Sequence, residues 1–193
     1  MNSLSDSNTT SDGYFLGLDI STSCTGVCVL DKNYNVIYLD VIRLSKFDTF
    51  FDKCEEFKRF LTDIKQKYAI KKIVIEKNAQ SFRKGLSSAN VINVLARFNG
   101  AASYITFETL GVVPCFIDAT SSRAVNGIKV NFKDKSSTTK EKVFCWVQNT
   151  IKHTWPQKKT GKFKTECYDM ADAYVLARVG VISENRKVDT LQC

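Results

Sequence analysis

The sequence predicts an α/β protein with a mixed β-sheet, and three observations support this class. Three apolar runs follow one another between residues 14 and 42 with short polar turns between them, which is typical of antiparallel strands. An amphipathic helix pattern then precedes a fourth strand, and such a crossover favours parallel pairing with the first strand. A second long helix pattern and a fifth strand continue the alternation. We therefore expect one sheet with helices packed against it.

The individual elements follow from apolar periodicity. Strands are predicted at 14–19, 27–30, 36–42, 73–76 and 112–117. Helices are predicted at 47–68, 86–110, 138–151 and 168–177. Asp118 is predicted to cap a further helix, and Thr138 with Glu141 has the spacing of a capping box. The apolar stripe of the first helix is predicted to be core and comprises Phe47, Phe50, Phe51, Cys54, Phe57, Phe60 or Leu61, Ile64 and Tyr68.

The composition indicates one domain and a polyanionic partner. The 193 residues are 44% hydrophobic and 25% charged, which is enough for a single well-formed core. The net charge of +8 and the isoelectric point near 9.1 favour a negatively charged partner. We expect a disordered polar leader at 1–13, the folded domain at 14–180 and a polar tail at 181–193.

The cysteine pattern favours an intracellular protein. Seven cysteines occur without a CxxC pair and with a single histidine, His153. We therefore expect neither a zinc site nor a disulfide framework. Free thiols in a reducing compartment are the predicted state. The predicted compartment is the cytoplasm of a host or virus-infected cell, with the nucleus or an organelle as alternatives. No apolar run approaches the length of a transmembrane helix.

Four acidic residues end or line buried elements. Asp19 ends the first strand and Glu76 ends the fourth, so parallel pairing of these strands would bring the two carboxylates together. Asp169 and Asp172 lie three residues apart on a largely apolar helix, and neither has Lys or Arg three or four residues away. Such a pair repels and loses hydration, and a divalent cation would relieve both costs. For Asp19, hydrogen bonding within its own Ser/Thr turn is an alternative interpretation.

This set of ligands predicts a class of chemistry. Carboxylates without histidine or cysteine suit Mg²⁺ or Mn²⁺ rather than zinc. Acidic clusters of this size commonly hold two ions about 3.5–4 Å apart for phosphodiester chemistry. On a basic protein, the pattern predicts a metal-dependent nuclease.

A lysine-rich segment covers residues 129–164. Its ten lysines accompany only two acidic residues, Asp134 and Glu141. A solvated helix face would explain such a run, but beside an acidic site on a basic protein we favour contact with phosphates. The predicted DNA-binding residues, with those of neighbouring segments, are Phe82, Arg83, Lys84, Arg123, Lys129, Lys133, Lys135, Lys140 and Lys142.

Four motifs occur in a characteristic order along the chain. They are Gly17 to Ser23 with Thr25-Gly26, Ile75 to Asn78, Ala96 to Gly100 and Asp169 to Tyr174. Over roughly Tyr14 to Gly180 the chain resembles the RuvC-like Holliday junction resolvases of the ribonuclease H-like superfamily, particularly the phage and viral members.

The resemblance implies a five-stranded sheet of order 3-2-1-4-5 with helices on both faces. It implies a catalytic lysine at Lys140 or, less closely, at Lys142. It also implies a homodimer, formed largely by the long helix from Leu86 onward, that resolves four-way junctions by paired symmetric nicks. The implied metal ligands, for two Mg²⁺ ions per site with Mn²⁺ as a substitute, are Asp19, Glu76, Asp169 and Asp172. The patch Gly100-Ala101-Ala102 is our candidate for the dimer contact.

The loop after Glu76 departs from the bacterial members of that family. They carry an aromatic residue shortly after the second acid, whereas here Lys77, Asn78 and Ala79 follow and Phe82 comes later. Phe82 would either stack on an unpaired base at the crossover or begin the core of the following helix. A less selective nuclease of branched or flap DNA is the corresponding alternative function.

Two other function classes share parts of the pattern. The turn after Asp19 also resembles the phosphate hairpin of actin-like ATPases and sugar kinases. The chain is short for their two lobes and lacks their second phosphate hairpin of the Asp-Gly type. A DNA-binding module with a degenerate catalytic site is the other alternative, although all four acids are present.

Overall fold

The computed structural model describes residues 13–77, 89–130 and 136–186. Five strands lie within these ranges, namely β1 Tyr14–Asp19, β2 Cys24–Leu30, β3 Val36–Arg43, β4 Ile70–Glu76 and β5 Cys115–Ile117. Five helices accompany them, namely α1 Phe50–Lys67, α2 Ala89–Leu110, α3 Ala119–Val125, α4 Thr139–Thr150 and α5 Glu166–Arg186. The predicted order of elements is confirmed.

The strands form one mixed sheet in the order β3-β2-β1-β4-β5. The first three strands are antiparallel neighbours, whereas β4 is parallel to both β1 and β5. The predicted fold class and strand order are therefore confirmed. In the β1–β4 pair, Leu18 lies opposite Ile75. The residues that follow them, Asp19 and Glu76, consequently end neighbouring strands at the same edge of the sheet.

The two faces of the sheet pack against different helices, because alternate strand residues point to opposite sides. On one face, Leu16 and Leu18 are buried in a core that includes Phe57 of α1 and residues of α2. On the other face, Phe15 is buried in a core that includes Tyr174 of α5 and residues of α4. Asp19 is four residues beyond Phe15, so it belongs to the face covered by α4 and α5.

Helix α5 approaches the sheet so closely that two strand positions require glycine. A β-carbon added at Gly17 would collide with backbone atoms of Ala173 and Ala177. One added at Gly26 would collide with the carbonyl group of Asp169. At both points the helix backbone therefore rests directly on the strand backbone.

The aromatic stripe of α1 differs from the prediction at Phe51. The helix begins at Phe50, and Cys54, Phe57, Leu61 and Ile64 are buried, whereas Phe51 is 76% exposed. Successive residues of an α-helix are about 100° apart around its axis, so Phe51 points away from the face that Phe50 shares with the core. The prediction that Phe51 belongs to the core is wrong.

Helix α5 is longer than its predicted span of 168–177. It begins at Glu166 and continues through Gly180 to Arg186, and Val181 and Ile182 in its last part are buried. Residues at the start of the predicted polar tail therefore pack as part of the helix. Neither α5 nor any other helix of the described ranges is long and apolar enough to cross a membrane.

The predicted free thiols are confirmed for five cysteines but not for a sixth. Cys115 is disulfide-bonded, so the prediction is wrong there, because sequence spacing does not show which sulfur atoms meet in the fold. The free thiols are Cys24, Cys28, Cys54, Cys145 and Cys167.

We predict that Gly26→Ala destabilises the protein by about 1–3 kcal/mol, the range for forcing an extra carbon into a packed interior. The matched control is Gly100→Ala in α2, where an added β-carbon meets nothing within 4 Å. That variant is expected to gain about 0.5–1 kcal/mol from the better helix propensity of alanine. Thermal melting at low protein concentration measures both, and equal stability of Gly26→Ala and the parent would contradict the close helix–strand contact.

Candidate active site

The turn after β1 is closed by its own hydroxyl side chains. The Ser21 backbone N–H donates to Thr25 Oγ1 at 3.2 Å, and the Thr25 hydroxyl donates back to the Ser21 carbonyl at 3.1 Å. Ser21 Oγ accepts a further hydrogen bond from the Cys24 N–H at 3.2 Å. This local network holds the chain where it reverses into β2, directly beyond Asp19.

Four carboxylates interact at this edge of the sheet, and they include Asp19 and Glu76, whose meeting was predicted from their positions at strand ends. Burial raises the pKa of Asp19 well above its usual value, and the nearby carboxylates of Asp172, Glu76 and Asp169 raise it further. Burial and the Asp172 carboxylate raise the pKa of Glu76 to about 7. Burial is also the main reason that the pKa of Asp172 rises to about 6. Burial and mutual repulsion therefore both disfavour the charged form of these carboxyl groups.

Lys140 is the cation that bridges the α5 acids. Its Nζ lies 3.5 Å from Asp169 Oδ1 and 3.6 Å from Asp172 Oδ2. Partial desolvation lowers the pKa of Lys140, but the carboxylates of Asp172, Asp19 and Asp169 outweigh this effect and raise it. The lysine side chain is still 60% exposed, so its ammonium group is accessible from solvent.

The start of α4 explains why Lys140 reaches this position. Thr138 caps the helix, and its side chain accepts from the Glu141 N–H while the Glu141 carboxylate accepts from the Thr138 N–H. This confirms the predicted capping box and places Lys140 in the first helical turn, beside α5. Lys142, the other candidate for the catalytic lysine, lines a neighbouring cavity.

Arg123 supplies a second positive charge near the cluster. It lies in α3, close enough to Glu76 and Asp172 to lower the pKa of both carboxyl groups. The helix is capped by Asp118, whose Oδ1 accepts from the Thr120 N–H at 3.0 Å. The predicted capping role of Asp118 is therefore confirmed, and it sets the start of the helix that carries Arg123.

Two polar residues next to the cluster were not predicted from the sequence. The Cys24 thiol hydrogen-bonds to the Asp169 carboxylate. Glu166 precedes Asp169 by three residues and accepts from Arg43 Nε at 2.7 Å. Its other oxygen, Oε2, is buried without a hydrogen-bond partner within the described structure. The three-residue spacing of Glu166, Asp169 and Asp172 was the available signal, but the helix was predicted to begin only at residue 168.

The chemistry of the cluster fits a hard divalent cation, although the side chains are not arranged around one. All the donors are carboxylate oxygens, which suit Mg²⁺ or Mn²⁺. Within 13–77, 89–130 and 136–186, no group of three or more His, Cys, Asp and Glu side chains is close enough to hold a metal ion as it stands. The ammonium group of Lys140 instead occupies a position between Asp169 and Asp172. Burial and neighbouring carboxylates raise the pKa values of Asp19, Glu76 and Asp172, and a positive charge close to these groups would lower them.

The predicted DNA-binding residues divide into two groups. Lys129 is exposed, and Lys142 is partly exposed near the start of α4. Lys140 is also exposed and Arg123 is partly exposed, so these four side chains are accessible at the surface of the described residues. The remaining predicted residues, Phe82, Arg83, Lys84, Lys133 and Lys135, lie outside the described residues.

Comparisons with known proteins identify the fold. No protein-family model and no curated protein matches the sequence. RuvC of T. thermophilus in complex with a Holliday junction substrate superimposes with a TM-score of 0.66 at 12% identity, over 93% of this chain and 98% of that one. Another T. thermophilus RuvC structure gives a TM-score of 0.62 at 14% identity over the same shares.

A eukaryotic resolvase has the same architecture. The yeast mitochondrial Holliday junction resolvase Ydc2 superimposes with a TM-score of 0.56 at 12% identity, over 88% of this chain and 78% of that one. At these levels of identity the similarity establishes architecture and not activity. The chain therefore has the ribonuclease H-like fold of the RuvC resolvases.

Proposed function

We propose that this protein is a metal-dependent endonuclease that resolves four-way DNA junctions. The observation that carries the proposal is the meeting of Asp19, Glu76, Asp169 and Asp172 at one edge of a RuvC-type sheet. These carboxylates come from three separate elements, β1, β4 and α5. Structural stability does not require like charges to be gathered in this way, whereas divalent-metal chemistry on phosphates does.

The four carboxylates would hold two Mg²⁺ ions, with Mn²⁺ as a substitute. Bound ions supply the activation of the attacking water and the stabilisation of the leaving oxygen in phosphodiester hydrolysis. The carboxylate side chains would turn toward the bound ions and away from the Lys140 ammonium group. Once they are neutralised, the exposed ammonium group of Lys140 is available to a phosphate that approaches from solvent, where it would stabilise the charge that develops during cleavage.

The charge distribution supports a DNA substrate. The net charge of +8 favours binding to a polyanion, while the acid cluster alone would repel phosphates. Arg123, Lys129 and Lys142 lie on the described surface on the α3 and α4 side of that cluster. They would attract the DNA backbone and offset the repulsion from the acids.

We further propose that the active unit is a homodimer formed by α2. Paired nicks on opposed strands require two sites, and a twofold dimer matches the symmetry of a four-way junction. Ala102 of the predicted small-residue contact is fully buried in its own chain, because it packs against α1 and the sheet. It therefore cannot form the contact. The exposed apolar side chains of α2 are Val91, Val94, Tyr104 and Phe107, and they are the better candidates.

Incubation with end-labelled DNA and Mg²⁺ tests the proposed function. Four-way, three-way, single-stranded and duplex substrates should be compared, and the nicks mapped on each strand. We expect symmetric paired nicks in the four-way junction and little cleavage of the duplex. Equal cleavage of all branched and flap substrates would indicate the less selective nuclease, and tight junction binding without cleavage would indicate a degenerate site.

We predict that Glu76→Gln lowers the cleavage rate by at least about 100-fold and leaves junction binding intact. Loss of one group that stabilises charge in the transition state costs about 100- to 1,000-fold in rate, whereas the carboxylate contributes no attraction to DNA. Asp63→Asn is the matched control, because Asp63 is an exposed acid on α1 that pairs with Arg59. Near-normal turnover of Glu76→Gln would remove Glu76 from the site.

Lys140 and Lys142 are expected to differ when each is replaced by alanine. Lys140→Ala should lower the single-turnover rate more than the affinity, because its ammonium group contacts the acid cluster. Lys142→Ala should mainly weaken binding and reduce the salt dependence of affinity by about one phosphate contact. Single-turnover cleavage and binding titrations over a range of salt concentrations separate the two. The opposite pattern would assign the catalytic role to Lys142.

Val94→Glu is predicted to disrupt the dimer. Val94 is 42% exposed on α2, and a charge at the centre of an apolar contact is costly to bury. Sedimentation velocity should show a monomer, and the junction should be nicked on one strand at a time. Val113→Glu is the control, since Val113 is 57% exposed but lies beyond α2. A parent protein that is an active monomer would contradict the proposed dimer.

A further inference from the structure

A cavity of about 560 Å³ is lined by residues of α4, by the first part of α5 and by segments that precede these helices. It shares two elements with the cluster. Lys142 on its wall is two residues beyond Lys140 in α4, and Tyr168 directly precedes Asp169 in α5. The lining residues that matter here are Lys129, Lys142, Cys145, Gln148, Phe163 and Tyr168.

The aromatic part of the wall is held in a fixed orientation. The Phe144 ring packs edge-on against Phe163, with ring centroids 5.0 Å apart, and against Tyr168, with centroids 5.4 Å apart. On another side, Phe144 packs edge-on against Trp155 at 4.9 Å. Because Phe144 is buried, it anchors the two partly exposed rings that line the cavity. Such rings offer a stacking surface without a large loss of side-chain entropy on binding.

The charged part of the wall is basic. Lys129 and Lys142 line the cavity together with one acid, Glu141. The Glu141 carboxylate accepts from the Thr138 N–H at 2.6 Å and from the Thr138 hydroxyl at 2.9 Å. Its charge is therefore partly offset by the helix cap. The cavity consequently combines cations with aromatic rings, which is the combination that binds a phosphate together with a base.

We propose that this cavity binds one nucleotide of the junction DNA. Its base stacks on Tyr168 and Phe163, its phosphate contacts Lys129 and Lys142, and the Gln148 carboxamide meets the base edge. A second cavity, of about 690 Å³, also includes Gln148 in its wall. The inference rests on the proposed function and adds a site at which base identity can influence cleavage.

The exposed thiol of Cys145 gives a direct test, because it lines the same cavity. The full-length protein should be alkylated with iodoacetamide in EDTA, with and without a four-way junction, and the rate at Cys145 followed by peptide mass spectrometry. We expect bound DNA to slow this alkylation at least about fivefold. A Lys67→Cys variant gives a reference thiol on α1, on the opposite face of the sheet, that DNA should leave reactive.

A second test uses Tyr168→Leu, which removes the ring, and Tyr168→Phe, which retains it. Abasic nucleotides are placed one at a time around the crossover of the junction. In the parent and in Tyr168→Phe, one abasic position should weaken binding by about 5- to 150-fold, the range for loss of one stacked base. In Tyr168→Leu the same position should weaken binding by a smaller factor, because only the Phe163 ring remains for stacking.

The outcomes separate this inference from the function on which it rests. If no DNA form binds at low salt, both are wrong. If the junction binds but Cys145 remains fully reactive, or if the abasic effect is equal in the parent and Tyr168→Leu, the cavity does not hold a nucleotide. Where Tyr168→Leu fails to fold, the Cys145 result in the parent protein decides the matter.

Discussion

The direct contact between the backbone of α5 and strands β1 and β2 determines where the acid cluster lies. Gly17 and Gly26 have no side chains, and an added β-carbon at either would overlap the helix backbone. Gly26 is paired with Asp19 across the hairpin and also touches the backbone of Asp169. The contacts of Gly26 therefore set the backbone positions of both Asp19 and Asp169. A bulkier residue there would separate the groups that the proposed mechanism requires to act together.

The gathering of four carboxylates at one edge of the sheet lowers the stability of the fold. Burial and mutual repulsion raise the carboxyl pKa values, and the named cations that oppose this are Lys140 and Arg123. Gathering like charges at a partly buried site costs free energy of folding. Such a cost is common where a site is organised for a charged ligand. The lysine that bridges Asp169 and Asp172 offsets part of this cost.

Much of the fold and part of the cluster could be predicted because short-range patterns specify them. Strand alternation predicted the sheet, and the positions of Asp19 and Glu76 at strand ends predicted their meeting. The predictions that were wrong concern the direction in which helix side chains point, which the spacing of apolar residues along the sequence does not determine. Phe51 fits the apolar stripe of α1, but it lies about 100° from Phe50 around the helix axis and is exposed. Ala102 was predicted to contact a second protomer, but it is buried within its own chain. The contact of Lys140 with Asp169 and Asp172 depends on how α4 packs against α5. The sequence alone does not show this packing.

The central claim is that the carboxylate cluster is a two-metal site. A crystal structure of the protein soaked with Mn²⁺, with anomalous diffraction measured near the manganese absorption edge, tests it most directly. We predict two anomalous peaks among Asp19, Glu76, Asp169 and Asp172, with the Lys140 ammonium group displaced from its present contacts of 3.5 and 3.6 Å. Absence of any peak there, with Lys140 still bridging Asp169 and Asp172, would contradict the account.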